Sequence, residues 1–197
     1  RDGSPKFGPN NRWGVFPSLS AGWKISEEPF FKNQNWEFID VLKPRVSWGK
    51  LGNDSAIGNF AYEPSYQQLT LHSFDEVSKI GGFNTIKVAN ASIKWEEIQT
   101  LDAGIDVGMF KNRLTASVEY YSRQTKDMLY NLTIPYGSGI GKVASAPTSM
   151  PVNIGQISNK GWEISLSYRN KTGDLNYSVS GNLSHNKNKV IDLGLPT

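Results

Sequence analysis

The sequence contains no cysteine, which removes disulfide frameworks, thiolate metal sites and cysteine nucleophiles from consideration. Histidine is nearly absent too: His72 and His185 stand alone, without an HExxH, EF-hand or GxSxG pattern around them. No apolar run approaches the roughly 18 residues of a membrane helix, a lack that leaves membrane strands open because these alternate apolar with polar residues. Charge of one sign is also missing, since 21 Lys and Arg are scattered against 18 Asp and Glu for a net +3, so no nucleic-acid partner is expected. The opening Arg1-Asp2-Gly3-Ser4-Pro5 has neither an initiator Met nor an apolar leader core, so no signal peptide is read in it.

What is present is turn chemistry and aromatic rings, with 19 Gly, 10 Pro and 12% Phe, Trp and Tyr in 197 residues. That composition suits an all-β chain with many turns. From Leu101 to Met109 the residues Leu101, Ala103, Ile105, Val107 and Met109 occupy one parity, and Asp102, Gly104, Asp106 and Gly108 the other. This is a strict period of two. Phe110-Lys111-Asn112-Arg113 turns the chain, and Leu114, Ala116, Val118 and Tyr120 resume the alternation, which predicts an antiparallel hairpin. A second hairpin follows over Trp162 to Tyr168, a turn at Asn170 to Asp174, and Leu175 to Leu183. On its return strand the other parity is Asn176, Ser178, Ser180, Asn182 and Ser184, a face suited to water. Upstream, Val15 to Ile25 and Val41 to Leu51 read as strands interrupted by Pro17 and Pro44. A short helix is expected over Ser26 to Phe31, where Pro29 falls near a first turn.

The expected fold class is therefore all-β and antiparallel, and two architectures compete for it. A soluble β-sandwich alternates with its apolar face as core. It would make the chain a carbohydrate-binding module displaying Trp and Tyr. A transmembrane barrel alternates with its apolar face toward lipid. Three features favour the barrel. Aromatics (Phe110, Tyr120, Trp162, Tyr168, Tyr177) lie near strand ends, as an interfacial girdle requires. The polar parity is rich in Gly, Ser, Asn and Asp rather than in the Lys and Glu of a solvated sheet. Connections alternate short (after Met109 and Tyr168) with long (Asn53 to about Trp95, and Pro135 to Asn159), matching tight periplasmic turns and long outer loops. Six strands cannot close a barrel of transporter width, so a partial barrel is expected.

Several strings resemble one family. Phe7-Gly8-Pro9-Asn10-Asn11-Arg12-Trp13-Gly14-Val15-Phe16-Pro17-Ser18-Leu19-Ser20-Ala21-Gly22-Trp23, the segment Leu42 to Asp54, Trp95-Glu96-Glu97, and Asn153 to Glu163 are similar to the SusC/RagA-like TonB-dependent transporters of Bacteroidota. The resemblance runs through residues 1–197. It implies a plugged outer-membrane barrel of about twenty-two strands in a Gram-negative cell. Such a barrel imports oligosaccharides or peptides with energy relayed by TonB, beneath a SusD-like surface lipoprotein. The chain would be a stretch from the barrel's later half, with the plug, TonB box and signal peptide outside it.

Within that reading Asp102, Asp106, Glu119 and Glu163 are the candidates to face the lumen, where they would tune solute passage or meet the plug. The plainer alternative is charge pairing across neighbouring strands. Tyr62, Tyr66 and Tyr136 are the outer-loop candidates for stacking on a solute or contacting a partner, against simple loop packing. Gly137 to Lys142 lacks the GxxxxGK[ST] spacing of a phosphate loop, and Glu96-Glu97 and Asp75-Glu76 point to opposite strand faces rather than forming a catalytic pair. No catalytic residue, metal ligand or cofactor is expected, and the chain is read as no enzyme.

Overall fold

The computed structural model describes residues 1–34, 36–73, 79–138 and 149–194. It is built on one six-stranded antiparallel sheet with two side hairpins and almost no helix. In chain order the strands are β1 (Asp2–Gly3), β2 (Trp13–Gly14), β3 (Ser18–Gly22), β4 (Ile39–Asn53), β5 (Ser65–Ser73), β6 (Lys79–Lys87), β7 (Glu96–Met109), β8 (Leu114–Lys126), β9 (Leu129–Thr133), β10 (Ser149–Asn153), β11 (Gln156–Thr172) and β12 (Leu175–Asp192). The main sheet runs β12-β11-β8-β7-β4-β3, and small sheets pair β1 with β2, β5 with β6 and β9 with β10.

The two expected hairpins are β7–β8 and β11–β12, each longer than its periodic stretch. The β11–β12 turn closes on two residues, with Gly173 at φ +61°, so the pairing reaches Thr172 and Leu175 rather than stopping at Asn170. The β7–β8 turn is unusual. Phe110, Lys111 and Asn112 all have positive φ (56°, 60°, 56°), a region that side chains other than Asn and Asp avoid. Three hydrogen bonds hold it: Phe110 N donates to Phe38 O (2.9 Å), Asn112 N to Asp40 Oδ2 (2.9 Å) and Arg113 N to Phe110 O (3.3 Å).

The prolines behave differently from each other. Pro17 lies outside a strand, so the expected Val15–Ile25 strand shrinks to Ser18–Gly22. Pro44 sits inside an unbroken β4. Its carbonyl accepts from Trp23 N (3.0 Å) just where the chain leaves β3, so the missing N–H faces the end of the neighbouring strand and the ladder loses little. The expected helix is a 3₁₀ turn (Ile25–Glu27) followed by α1 (Pro29–Lys32) with Pro29 at its first position. The two long connections are also not bare loops: the first carries the β5–β6 hairpin, and the second carries β10, which pairs back on β9 just before it, and the start of β11.

Register across the sheet arranges side chains in rows. Val46, Ala103, Tyr120, Trp162 and His185 form one row over β4, β7, β8, β11 and β12. Toward the short turns the next rows on this face are Pro44, Ile105, Val118, Ile164 and Leu183, then Leu42, Val107, Ala116, Leu166 and Gly181. Toward the long loops the same parity turns polar, as Trp48, Leu101, Ser122, Lys160, Lys187, then Lys50, Gln99, Gln124, Ser158, Lys189. Tyr168 and Tyr177 (ring centroids 6.2 Å apart) close the apolar stretch at the turn end. From Tyr177 to His185 the strand advances about 27 Å, which a strand tilt of about 40° turns into about 20 Å of height. Aromatic residues thus stand at both ends of an apolar band about 20 Å high, against the roughly 25 Å of an outer-membrane barrel.

No second sheet covers that band among the described residues, and its side chains are open: Leu166 is 50% exposed, Val179 68% and Leu183 62%. The sandwich alternative required a packed core there. Buried apolar residues gather instead at the long-loop end, where Phe7, Ile57, Ala61, Ile93 and Leu129 pack with Tyr62 and Trp95.

Candidate functional site

The opposite face of the main sheet is polar and hollow. Its rows are built from Lys43, Arg45 and Ser47 on β4, Asp102, Gly104 and Asp106 on β7, Ser117, Glu119 and Tyr121 on β8, Gly161, Glu163 and Ser165 on β11, and Ser180, Asn182 and Ser184 on β12. A groove of about 630 Å³ opens along it, lined on this face by Asp106, Thr115, Ser117, Ser165, Ser167 and Asn182. A second of about 430 Å³ lies beside Ser20, Ser47, Thr100, Asp102 and Arg123.

Two of the four candidate carboxylates, Asp106 and Glu119, join one network centred on Arg45, and a third, Asp102, is held separately by Ser47. Arg45 Nη2 lies 2.6 Å from Glu119 Oε2 and its Nε 3.4 Å from Asp106 Oδ2. Ser117 Oγ donates to Asp106 Oδ1 (2.9 Å), and Ser47 Oγ to Asp102 Oδ2 (3.3 Å). A glycine makes the reach possible. Arg45, Gly104 and Glu119 are in register on three successive strands, and a Cβ on Gly104 would meet Arg45 Cζ at 3.1 Å. Without that bare backbone the guanidinium could not lie across β7 to a strand two places away. Glu163 shares the face and sits directly opposite Glu119, but it is exposed and joins no ion pair among the described residues. Gly161 plays a similar part to Gly104, for the Tyr121 hydroxyl lies 2.6 Å from where its Cβ would be. Arg45 is the residue that reading the carboxylates alone passes over, although its parity within β4 places it beside them.

The loop tyrosines do not converge. Tyr62 packs on the buried cluster with its ring 6.4 Å from Phe60, which is the loop-packing role. Tyr66 projects from β5 and is 65% exposed. Tyr136 lies in a 3₁₀ turn (Tyr136–Ser138), with its side chain outside the described residues. Most of Gly137 to Lys142, and Asp75-Glu76, likewise fall outside them. Glu96 and Glu97 do take opposite roles. Glu97 pairs with Lys50 Nζ at 3.0 Å, whereas Glu96 is buried and accepts from Asn53 Nδ2 (2.9 Å) and Leu129 N (3.0 Å).

The polar face carries hydroxyls, amides and one charge cluster in which a single guanidinium bridges two carboxylates. No group of three or more His, Asp or Glu able to hold a metal occurs among the described residues. Such a surface can exchange hydrogen bonds with a hydrated solute or with another polar protein surface, and it stays wet at low energetic cost.

Comparison with known proteins places this wall. A family model described as TonB dependent receptor-like, beta-barrel matches residues 1–196. TonB-dependent receptor P39 of Formosa agariphila is 37% identical over 194 residues, covering 98% of this chain and 17% of that protein. TonB-dependent receptor SusC of Bacteroides thetaiotaomicron is 35% identical over 196 residues, covering 98% and 18%. Among solved structures the chain superposes on the RagAB peptide importer in its closed-closed state with TM-score 0.81 and 28% identity, over 99% of this chain and 20% of that one. The chain therefore spans about a fifth or less of the length of the proteins it matches. Sequence, sheet and comparison agree that this chain belongs to the TonB-dependent receptor β-barrel family, with SusC among its relatives.

Proposed function

We propose that this chain is a stretch of the wall of a TonB-dependent nutrient importer in the outer membrane of a Gram-negative cell. The observation that carries the reading is the split of one sheet into an uncovered apolar band with aromatic residues at both ends and a hollow polar face bearing the Arg45 network. The polar face lines the lumen, and Asp102, Asp106, Glu119 and Glu163 meet either the solute or a plug domain there. The chain does no chemistry on what passes. Its long-loop end faces outward, where Tyr66 and Tyr136 contact a solute or a SusD-like lipoprotein. Likeness to SusC and to a peptide importer supports an oligosaccharide or a peptide as the cargo class. Energy reaches the barrel through TonB by way of segments other than these strands.

The stretch itself contains no cysteine, so labelling of introduced cysteines above the background of the unsubstituted receptor supplies a direct test. Single substitutions Ser117→Cys, Val118→Cys, Glu163→Cys and Ile164→Cys, made in the receptor in outer-membrane vesicles, are treated with a water-soluble maleimide. Labelling at 117 and 163 with protection at 118 and 164 is expected, and equal labelling of both parities defeats the wall reading. Loss of uptake of labelled oligosaccharides or peptides on deletion of the receptor then identifies the cargo class.

A further inference from the structure

The polar face changes the sign of its charge along the strands. Midway it carries Asp102, Asp106, Glu119 and Glu163, whereas toward the short turns the same parity carries Arg113, just ahead of β8, and Arg169 and Lys171 on β11. Arg169 N donates to Arg113 O (2.8 Å), so the two arginines stand side by side across the ladder. With Lys111 from the β7–β8 turn, and Asn176 and Ser178 from β12, these cations line a groove of about 490 Å³. No carboxylate lines it, and none of the four cations forms an ion pair among the described residues. Asp40, beside the turn, accepts from Asn112 N (2.9 Å) instead. Glu119 and Glu163 stand about 20 Å back along β8 and β11, well beyond the screening length of physiological salt. Like charges directly opposed on a sheet are destabilising unless an anion lies between them. A further strand beyond β12 would stand three spacings, about 14 Å, from Arg113, too far for a direct ion pair.

We propose that this groove is an oxyanion subsite at the turn-side mouth of the lumen, taking a carboxylate or phosphate group carried by a passing solute. The planar fork of a guanidinium engages either group through two parallel hydrogen bonds, and two forks side by side with two ammonium groups suit a solute with more than one negative charge. Asn176 and Ser178 supply the neutral donors and acceptors that the rest of such a solute requires. The volume falls in the range of small-solute sites, about 300–1,000 Å³. Arg113, Arg169 and Lys171 share the parity of Ser117 and Glu163, which turns them away from the apolar band. The inference rests on the wall reading for the compartment from which the solute comes. Cysteine labelling tests that reading, whereas anion binding is measured separately, so the two failures are told apart.

The receptor as its host makes it is purified in detergent and titrated calorimetrically with triglutamate and with glucose 6-phosphate. Triglutamine and glucose serve as controls of matching shape without the added anionic groups. An anionic probe is expected to bind and its control to fail, and tighter binding of triglutamate or of glucose 6-phosphate distinguishes a carboxylate source from a phosphate source. R113Q and R169Q should each weaken binding about tenfold, and the two together with K171Q about a hundredfold. K126Q, at the opposite end of β8, should leave binding unchanged. Without ligand, R113Q should keep or raise the Tm, because it removes the repulsion from Arg169. Failure of both anions to bind, controls bound as tightly as the anions, or a triple variant that binds like wild type overturns the proposal. So does a lowered ligand-free Tm for R113Q, which would mean that a carboxylate of the receptor itself already fills the groove.

Discussion

The main sheet and the small cluster at its long-loop end solve the same problem in opposite ways. The cluster hides Phe7 and Ile93 completely, with Ile57, Ala61 and Leu129 around them, as any globular core does. The sheet holds many more large apolar side chains and leaves them open, with Leu183 at 62% and Leu166 at 50% exposure. The contrast teaches that apolar residues in this chain answer to two different solvents. At the loop end water is the solvent and protein provides the refuge. Along the strands no protein among the described residues provides one, and on the proposed reading the sheet presents its apolar side to lipid.

The largest effect expected from breaking this comparison lies in the cluster. Phe7→Ala should cost about 3–5 kcal/mol of local stability, because the site keeps a cavity after the ring is gone. Hydrogen exchange over residues 1–14 and 88–95 would register the opening. In the band, Ile164→Arg should cost about 2–4 kcal/mol in folding from urea into vesicles, while the adjacent Ser165→Arg should change stability by less than about 0.5 kcal/mol. Equal costs at the two parities would end the two-solvent account. Leu166→Ala should cost about 2 kcal/mol, less than Phe7→Ala, because lipid fills the space and only the transfer contribution is lost.

Smaller effects probe the polar face. Arg45 and its partners are each about a third exposed, so a double-mutant cycle of Arg45→Met with Glu119→Gln should give about 0.5–1 kcal/mol of coupling. Gly104→Ala should abolish that coupling while both charged residues remain. The smallest effect is at the turn end, where hydrogen bonds from Lys24, then Lys32, hold the Glu27 carboxyl below its ordinary range. A depressed carboxyl contributes above its unfolded value and loses that contribution as pH falls through the folded one. Proteolysis of the segment joining β3 to β4 should therefore rise slightly in acid, and Glu27→Gln should remove the dependence.

Much of this was legible in the residues. Period-two alternation marks the turn-side halves of β7, β8, β11 and β12, because there one face is apolar and the other polar, whereas toward the long loops both faces turn polar and the pattern fades. The β5–β6 and β9–β10 hairpins were not legible, since neither belongs to a wall with two uniform faces. Ser149-Met150-Pro151-Val152-Asn153 pairs with β9 despite a proline and without clean alternation. The four carboxylates could be placed on one parity, but the grouping of Asp106 with Glu119 could not be read from it. That grouping depends on Arg45, which lies 61 residues before Asp106 and 74 before Glu119 in the chain, and on a glycine whose value is the absence of a side chain. The tyrosines were named for residue type alone, and the packing of Tyr62 on the buried cluster is a contact that residue type does not reveal.

Glu96 ties separate pieces of the loop end into one mechanical part. One oxygen of its carboxyl group accepts from Asn53 at the end of β4 and the other from the backbone of Leu129 just after β8, and Leu129 shares its buried cluster with Phe7. Three stretches far apart in sequence, near residues 7, 53 and 129, are thus fastened at the root of β7, and replacing that one side chain removes two of the ties at once while leaving two buried donors unsatisfied.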